Sequence, residues 1–230
     1  LMAALVASGS APPDNAAVVE LLDGFETRYP GAKEFDARAL ELRLRARVAL
    51  GRTQDAARDL DAYLAAAGAG GDRRRLLTQL GRDLAARAAR ADGAEKTAAL
   101  AMARKTYGAL VQDGGQPADR IILADLSLRA GDAAAARTLY DEVLKADPTS
   151  SEALRGAARA AAGAGDRDAA LGYWRRVLDG AEPGTTGWFE ARLAQATLLA
   201  ESGQQAAACD IVRSSRARSK STGADQLETR

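Results

Sequence analysis

The side chains best suited to chemistry in this sequence are few. They are the closely spaced carboxylates Asp59 with Asp61 and Asp141 with Glu142, a glycine-rich run at residues 68–71, the thiol of Cys209 and a dense set of arginines. Paired carboxylates can divide general-acid and general-base work when their surroundings push their pKa values apart. Here they fall on helix-forming stretches at positions expected to face water, so solvated helix faces are the simpler reading. The chain contains no histidine. That removes the usual general base near neutral pH, the histidine-dependent nucleophile triads and the commonest metal ligand. The run Gly68-Ala69-Gly70-Gly71 lacks the lysine and hydroxyl of a phosphate-cradling loop and follows a predicted helix rather than a strand. Cys209, beside the small Ala208, reads as a buried, inert thiol, and a single cysteine excludes an intrachain disulfide. No cofactor or metal is implied, and the chain is not expected to be an enzyme.

The arginines are the one functional-looking enrichment. Arg73, Arg74, Arg75, Arg82, Arg87 and Arg90 lie on one predicted helix, while Arg213, Arg216, Arg218 and Lys220 gather near the end. Acids are interspersed among them, and the chain as a whole carries 32 basic against 31 acidic residues, a net charge of +1. Proteins that live on nucleic-acid phosphates usually show a basic excess. Solvated faces are therefore the first reading of these arginines, an anionic protein surface the second and nucleic acid the third. No stretch approaches the roughly 20 apolar residues that span a bilayer. The compartment stays open.

These side chains must be carried by helices. Hydrophobic residues make up 47% of the chain but aromatics only 4%, and the commonest residue, alanine, is the strongest helix former. A core so poor in aromatics fills space only if helix backbones approach closely. No segment shows the alternation of a strand. Helices are predicted at 14–29, 34–50, 53–67, 72–91, 95–112, 117–130, 133–146, 150–163, 167–180, 186–202 and 204–217. Leu1 to Ala11 read either as the end of a secretion signal or as the last turns of a helix. The parallel between Leu5-Val6-Ala7-Ser8-Gly9 and Leu199-Ala200-Glu201-Ser202-Gly203 favours the helix, and something upstream is expected because no initiator methionine begins the chain. The glycine-rich run at 67–71 is the expected bend, and residues 218–230 read as a polar, disordered tail.

Internal repetition is the strongest signal. Ala130-Gly131-Asp132 recurs 34 positions later as Ala164-Gly165-Asp166. Ala136 with Tyr140 becomes Ala170 with Trp174, and Val143-Leu144 becomes Val177-Leu178. Between helices a glycine can take the left-handed conformation, and the aspartate after it can cap the next helix. Prolines at Pro30, Pro148 and Pro183 stop second helices. The pattern resembles the tetratricopeptide repeat, in its bacterial type. That family's aromatic-leucine-glycine half is eroded here to Leu77-x2-Leu80-Gly81-x2-Leu84 and Leu154-x2-Ala157-Ala158-x2-Ala161. Its alanine-x3-aromatic half recurs as Ala103 with Tyr107, Ala208 with Val212 and Ala56 with Leu60. The resemblance covers roughly residues 1–217 and is clearest over 117–150 and 151–184.

The resemblance implies an all-α fold, an α-solenoid of stacked antiparallel helix pairs wound into a superhelix. It also implies a concave groove, lined by the first helix of each pair, that binds a protein or peptide. The groove positions are Ile121, Asp125, Leu128 and Arg129 in one repeat, Glu152, Arg155 and Arg159 in the next, and Glu190, Leu193 and Thr197 in the last. Arg155 and Arg159, one turn apart, suit a partner carboxylate. The lysine and asparagine set with which some relatives clamp a C-terminal carboxylate is missing. The phrase Phe25-Glu26-Thr27-Arg28-Tyr29-Pro30 resembles repeats of bacterial cell-envelope assembly proteins, which bears on location rather than activity. The leading function is a protein-interaction scaffold or adaptor, as one part of a larger protein. The rivals are a regulatory or sensor domain that binds a peptide or small ligand and gates an attached effector, and a piece of an enzyme whose catalytic domain lies elsewhere.

Overall fold

The computed structural model describes residues 1–29, 33–68 and 70–222. Among these there are helices and turns but no strand. The chain divides into two compact units, Leu1–Asp119 and Arg120–Arg230. The first holds α1 (Met2–Ser8), α2 (Asn15–Leu22), α3 (Phe25–Arg28), α4 (Lys33–Ala49), α5 (Thr53–Ala66), α6 (Gly71–Arg90) and α7 (Gly93–Gln112). α8 (Pro117–Arg129) crosses the boundary, and the second unit continues with α9 (Ala133–Ala146), α10 (Ser151–Gly163), α11 (Arg167–Gly180), α12 (Thr186–Glu201) and α13 (Gln205–Thr222). Short turns join neighbours, which makes consecutive helices antiparallel. α4 packs on α5, α6 on α7, α10 on both α9 and α11, and α12 on α13.

The expected turn chemistry is present. Gly131 and Gly165 have φ of +83° and +80°, the left-handed region that only glycine enters without strain. Immediately after them, Asp132 and Asp166 accept hydrogen bonds at 3.1 Å from the backbone N–H groups of Ala135 and Ala169. Such caps are each worth about 1 kcal/mol. Ala136 and Ala170 are 0% exposed, and the aromatics four residues on, Tyr140 and Trp174, are buried with them. Tyr140 rests against Gly156 of α10, where an added Cβ would lie 2.3 Å from the ring. Gly81 of α6 does the same for Tyr107 of α7, at 2.7 Å. The eroded half-motifs therefore keep their packing role: Leu77, Leu80, Leu84, Leu154, Ala157, Ala158 and Ala161 are all buried.

Several expectations are corrected. The helix expected over 14–29 is two, because Gly24 at φ +67° interrupts it and starts α3. The long α6–α7 pair turns at Asp92-Gly93, with Gly93 at φ +56°. The usual glycine-aspartate order is reversed there, and the break falls where the helices expected at 72–91 and 95–112 leave it. α1 is helical, as the second reading of the first residues expects. α13 runs on to Thr222, past the boundary expected at 217. Pro30, Ala69 and residues 223–230 lie outside the described residues, and with them the helix stop read at Pro30, part of the bend read at 67–71 and most of the tail. Cys209 is exposed rather than buried. Ala208 is the residue that α13 turns towards its neighbour, and the next residue points about 100° away from it.

Candidate partner-binding surfaces

In the second unit the expected groove residues come together on the first helices α8, α10 and α12. Asp125 of α8 accepts a hydrogen bond from the Tyr140 hydroxyl at 2.5 Å and faces Arg159 of α10 at 3.9 Å. Arg155, one turn away on α10, faces Glu190 of α12 at 3.8 Å. Across the three helices the two arginines of α10 are thus flanked by an acid on each side, Asp125 of α8 and Glu190 of α12. Burial first, then the hydrogen bond to Asp125 and its charge, push the Tyr140 phenol well above its ordinary range, so the hydroxyl stays a donor that holds Asp125 in place. Arg129, Glu152, Leu193 and Thr197 are exposed, Leu193 at 67%. Ile121 is not available to a partner. It is 7% exposed and belongs to the core with Ala124 and Tyr140, because its side of α8 is the packing side. Leu128 is half-buried against the same core.

The carboxylates considered for chemistry are structural. Asp59, expected to face water, is 2% exposed. It follows Ala56 by three residues and precedes Tyr63 by four, which puts it on the buried stripe of α5. Two arginines of α4 neutralise it, Arg43 at 2.8 Å and Arg47 at 2.8 Å. Arg43 also reaches Glu26 at 2.5 Å and the Leu22 carbonyl at 2.8 Å, and Arg47 reaches Asp23 at 2.6 Å. The cluster ties α2 and α3 to the α4–α5 pair. Burial alone would raise Glu26, but its bonds to Arg43 and its own backbone amide hold it below the ordinary carboxylate value. Asp61 pairs with Lys105, Glu142 lies 3.6 Å from Arg120, and Asp141 accepts from the Tyr173 hydroxyl at 2.5 Å. Of these carboxylates, Asp141 lines a wide, open depression of about 440 Å³ with Thr138, Leu144, Lys145 and Arg176. Among the described residues no group of acids and cysteine is placed to hold a metal ion.

The arginines of α6 divide into two sets, which corrects the reading of them all as solvated. Arg73 donates to the carbonyls of Leu64 and Ala67 and pairs with Asp113 at 2.8 Å. Arg74 pairs with Asp119 at 2.8 Å, and Arg87 with Glu95 at 2.8 Å. These fasten loops and neighbouring helices to α6. Arg75, Arg82 and Arg90 instead lie exposed on the outward stripe. That stripe borders a cleft of about 760 Å³ within the first unit, formed by the α1–α2 turn, α4 and α6. The cleft was not foreseen, since the repeats there leave the 34-residue spacing and the register could not be carried back to α4 and α6.

Comparison with known proteins agrees with this geometry. The family model for the tetratricopeptide repeat matches residues 127–179, from the end of α8 through α11. Residues 127–179 carry a tetratricopeptide repeat. A search of curated protein sequences finds no significant match. Among solved structures, this chain is similar to a crystal structure of MamA protein, with 13% identity, a TM-score of 0.56, and coverage of 84% of this chain and 97% of that one. It is also similar to MamA 41-end from Desulfovibrio magneticus RS-1, with 13% identity, a TM-score of 0.54, and coverage of 81% and 96%. At such identity the likeness is one of fold alone. No helix among the described residues is long and apolar enough to cross a membrane.

Proposed function

We propose that this repeat protein is a scaffold that holds a partner protein or peptide against the first-helix faces of its repeats. The fold is one generally used for non-catalytic interaction, and its activity must be argued from the surface it presents. The observation that carries the reading is the row of Asp125, Arg159, Arg155 and Glu190 across α8, α10 and α12, with Leu193 exposed beside it. The contacts within the row, at 3.8 and 3.9 Å, are longer than hydrogen bonds. The guanidinium N–H groups of both arginines therefore keep donor capacity for a partner carboxylate.

The test replaces both cations. Arg155→Glu/Arg159→Glu is expected to leave the melting midpoint nearly unchanged, because exposed and half-exposed pairs contribute little to stability. It is expected to weaken capture of the partner from lysate by on the order of a few kcal/mol, since like charges brought together at an interface are costly. Undiminished capture at unchanged stability would remove this face from the reading.

A further inference from the structure

The cleft of the first unit combines an apolar floor with a cationic edge. Val18 of α2, Leu42 and Ala46 of α4, and Leu76 and Leu80 of α6 form the floor. The cleft continues along α6 into a shallower depression of about 320 Å³, with Gln79 and Asp83 lining both. Six arginines line the two together, Arg45, Arg74, Arg75, Arg82, Arg87 and Arg90, against two acids, Asp83 and Glu95. In a chain whose charges almost cancel, that is a local excess. Some of it is already used: Arg45 pairs with Glu41 at 2.9 Å, Arg74 with Asp119 and Arg87 with Glu95. Arg75, Arg82 and Arg90 remain on one stripe of α6, spaced seven and eight residues apart, Arg82 being shared with the Tyr107 hydroxyl while Arg75 and Arg90 carry most of the open charge. Arg75 is 83% exposed with only the equally solvated Asp72 near it, and Arg90 makes no ion pair among the described residues.

We infer that this cleft binds an extended acidic peptide segment of a partner protein. An apolar side chain of the segment enters the floor between α4 and α6, and its carboxylates lie along Arg90, Arg82 and Arg75. The inference deepens the partner-binding reading above by naming the chemistry of what is bound, at a second surface. Charge complementarity points to the sign of the occupant, and the apolar floor to an anchor residue that a purely charged ligand does not have. No aromatic side chain lines either depression. Single-stranded nucleic acid, the other polyanion to consider, is usually held by stacking its bases on such rings.

Fluorescence anisotropy of the whole chain tests this. The probe is a labelled peptide of about ten residues with one leucine flanked by glutamates. A matched lysine peptide and a labelled oligothymidine of about 20 nucleotides serve as comparisons. The glutamate peptide is expected to bind saturably and more weakly as salt rises. Ala86→Trp fills the cleft from an exposed position of α6 and is expected to abolish binding. Arg75→Glu/Arg90→Glu, two exposed side chains, is expected to weaken it at least about tenfold, or about 1.4 kcal/mol. Circular dichroism confirms that each variant folds. Absence of saturable binding, equal affinity for the lysine peptide or the oligonucleotide, or unchanged affinity in both variants would overturn the inference. None of those results bears on Arg155 and Arg159, so the wider scaffold reading stands or falls separately on the capture experiment.

Discussion

Asp59 shows how much a single residue can bind together. Its carboxylate is almost fully buried and is the shared counter-ion of Arg43 and Arg47. Removing one partner of a buried ionic cluster leaves uncompensated charge in a poor solvent for it. Asp59→Ala is therefore expected to destabilise the protein by about 3–5 kcal/mol, read as a fall in the urea midpoint. Replacing the exposed Asp72 of the solvated Arg75 pair should be nearly silent. Residues of this kind were the least legible in the sequence. Nothing in the spacing of Asp59 and Asp61 says which one faces inward until Ala56, Leu60 and Tyr63 are recognised as one stripe. The i,i+4 pair Arg43 and Arg47 was a usable sign that two cations on α4 share one side. Cys209 failed for the same reason: burial was inferred from its neighbour Ala208, and a helix turns by about 100° between them.

At the scale of elements the repeat is written locally, and it was read well wherever it is regular. α9 and α11 begin and end at 133–146 and 167–180, as the glycine, the capping aspartate and the alanine-aromatic pair dictate. Where the spacing stretches, as at Asp92-Gly93, a glycine of positive φ still marks the break expected between 91 and 95, but Asp92 makes no side-chain cap hydrogen bond as Asp132 and Asp166 do. The contact between Tyr140 and Gly156 gives the element-scale prediction. A methyl at position 156 would meet the ring of Tyr140 at 2.3 Å, so α9 and α10 would have to move apart. Gly156→Ala is expected to cost about 1–3 kcal/mol by overpacking. The double variant Gly156→Ala/Tyr140→Leu should recover part of that loss, because a leucine lacks the ring that the methyl strikes. A midpoint unchanged in Gly156→Ala would show that this helix contact is not where the repeat is held.

For the whole molecule, the titrating groups that folding perturbs set an alkaline limit to stability. Tyr63, Tyr107, Tyr140 and Tyr173 are all raised above the ordinary phenol value of 10.0, first of all by burial. A raised pKa means that the folded state holds its proton more tightly. The stability this contributes is complete below pH 10 and is lost as the pH climbs through the raised values. The melting midpoint is expected to fall above pH 10, in step with phenolate absorbance. An acid limit comes from Glu26, Asp147 and Asp166, which are held below their ordinary values. For Glu26 the bonds to Arg43 outweigh burial, while bonds from Thr149 and from the Ala169 amide hold the two aspartates down. Their contribution is complete above the ordinary carboxylate values of 4.5 and 3.8 and disappears as the pH drops through the lowered ones. Between the two limits the midpoint should be flat. The exposure of Cys209, the one cysteine in the chain, has a practical sequel. A maleimide dye will attach at one position per molecule, on α13, without any engineering, giving a stoichiometric reporter for partner titrations. The same thiol will join molecules into covalent pairs in buffers that lack a reductant.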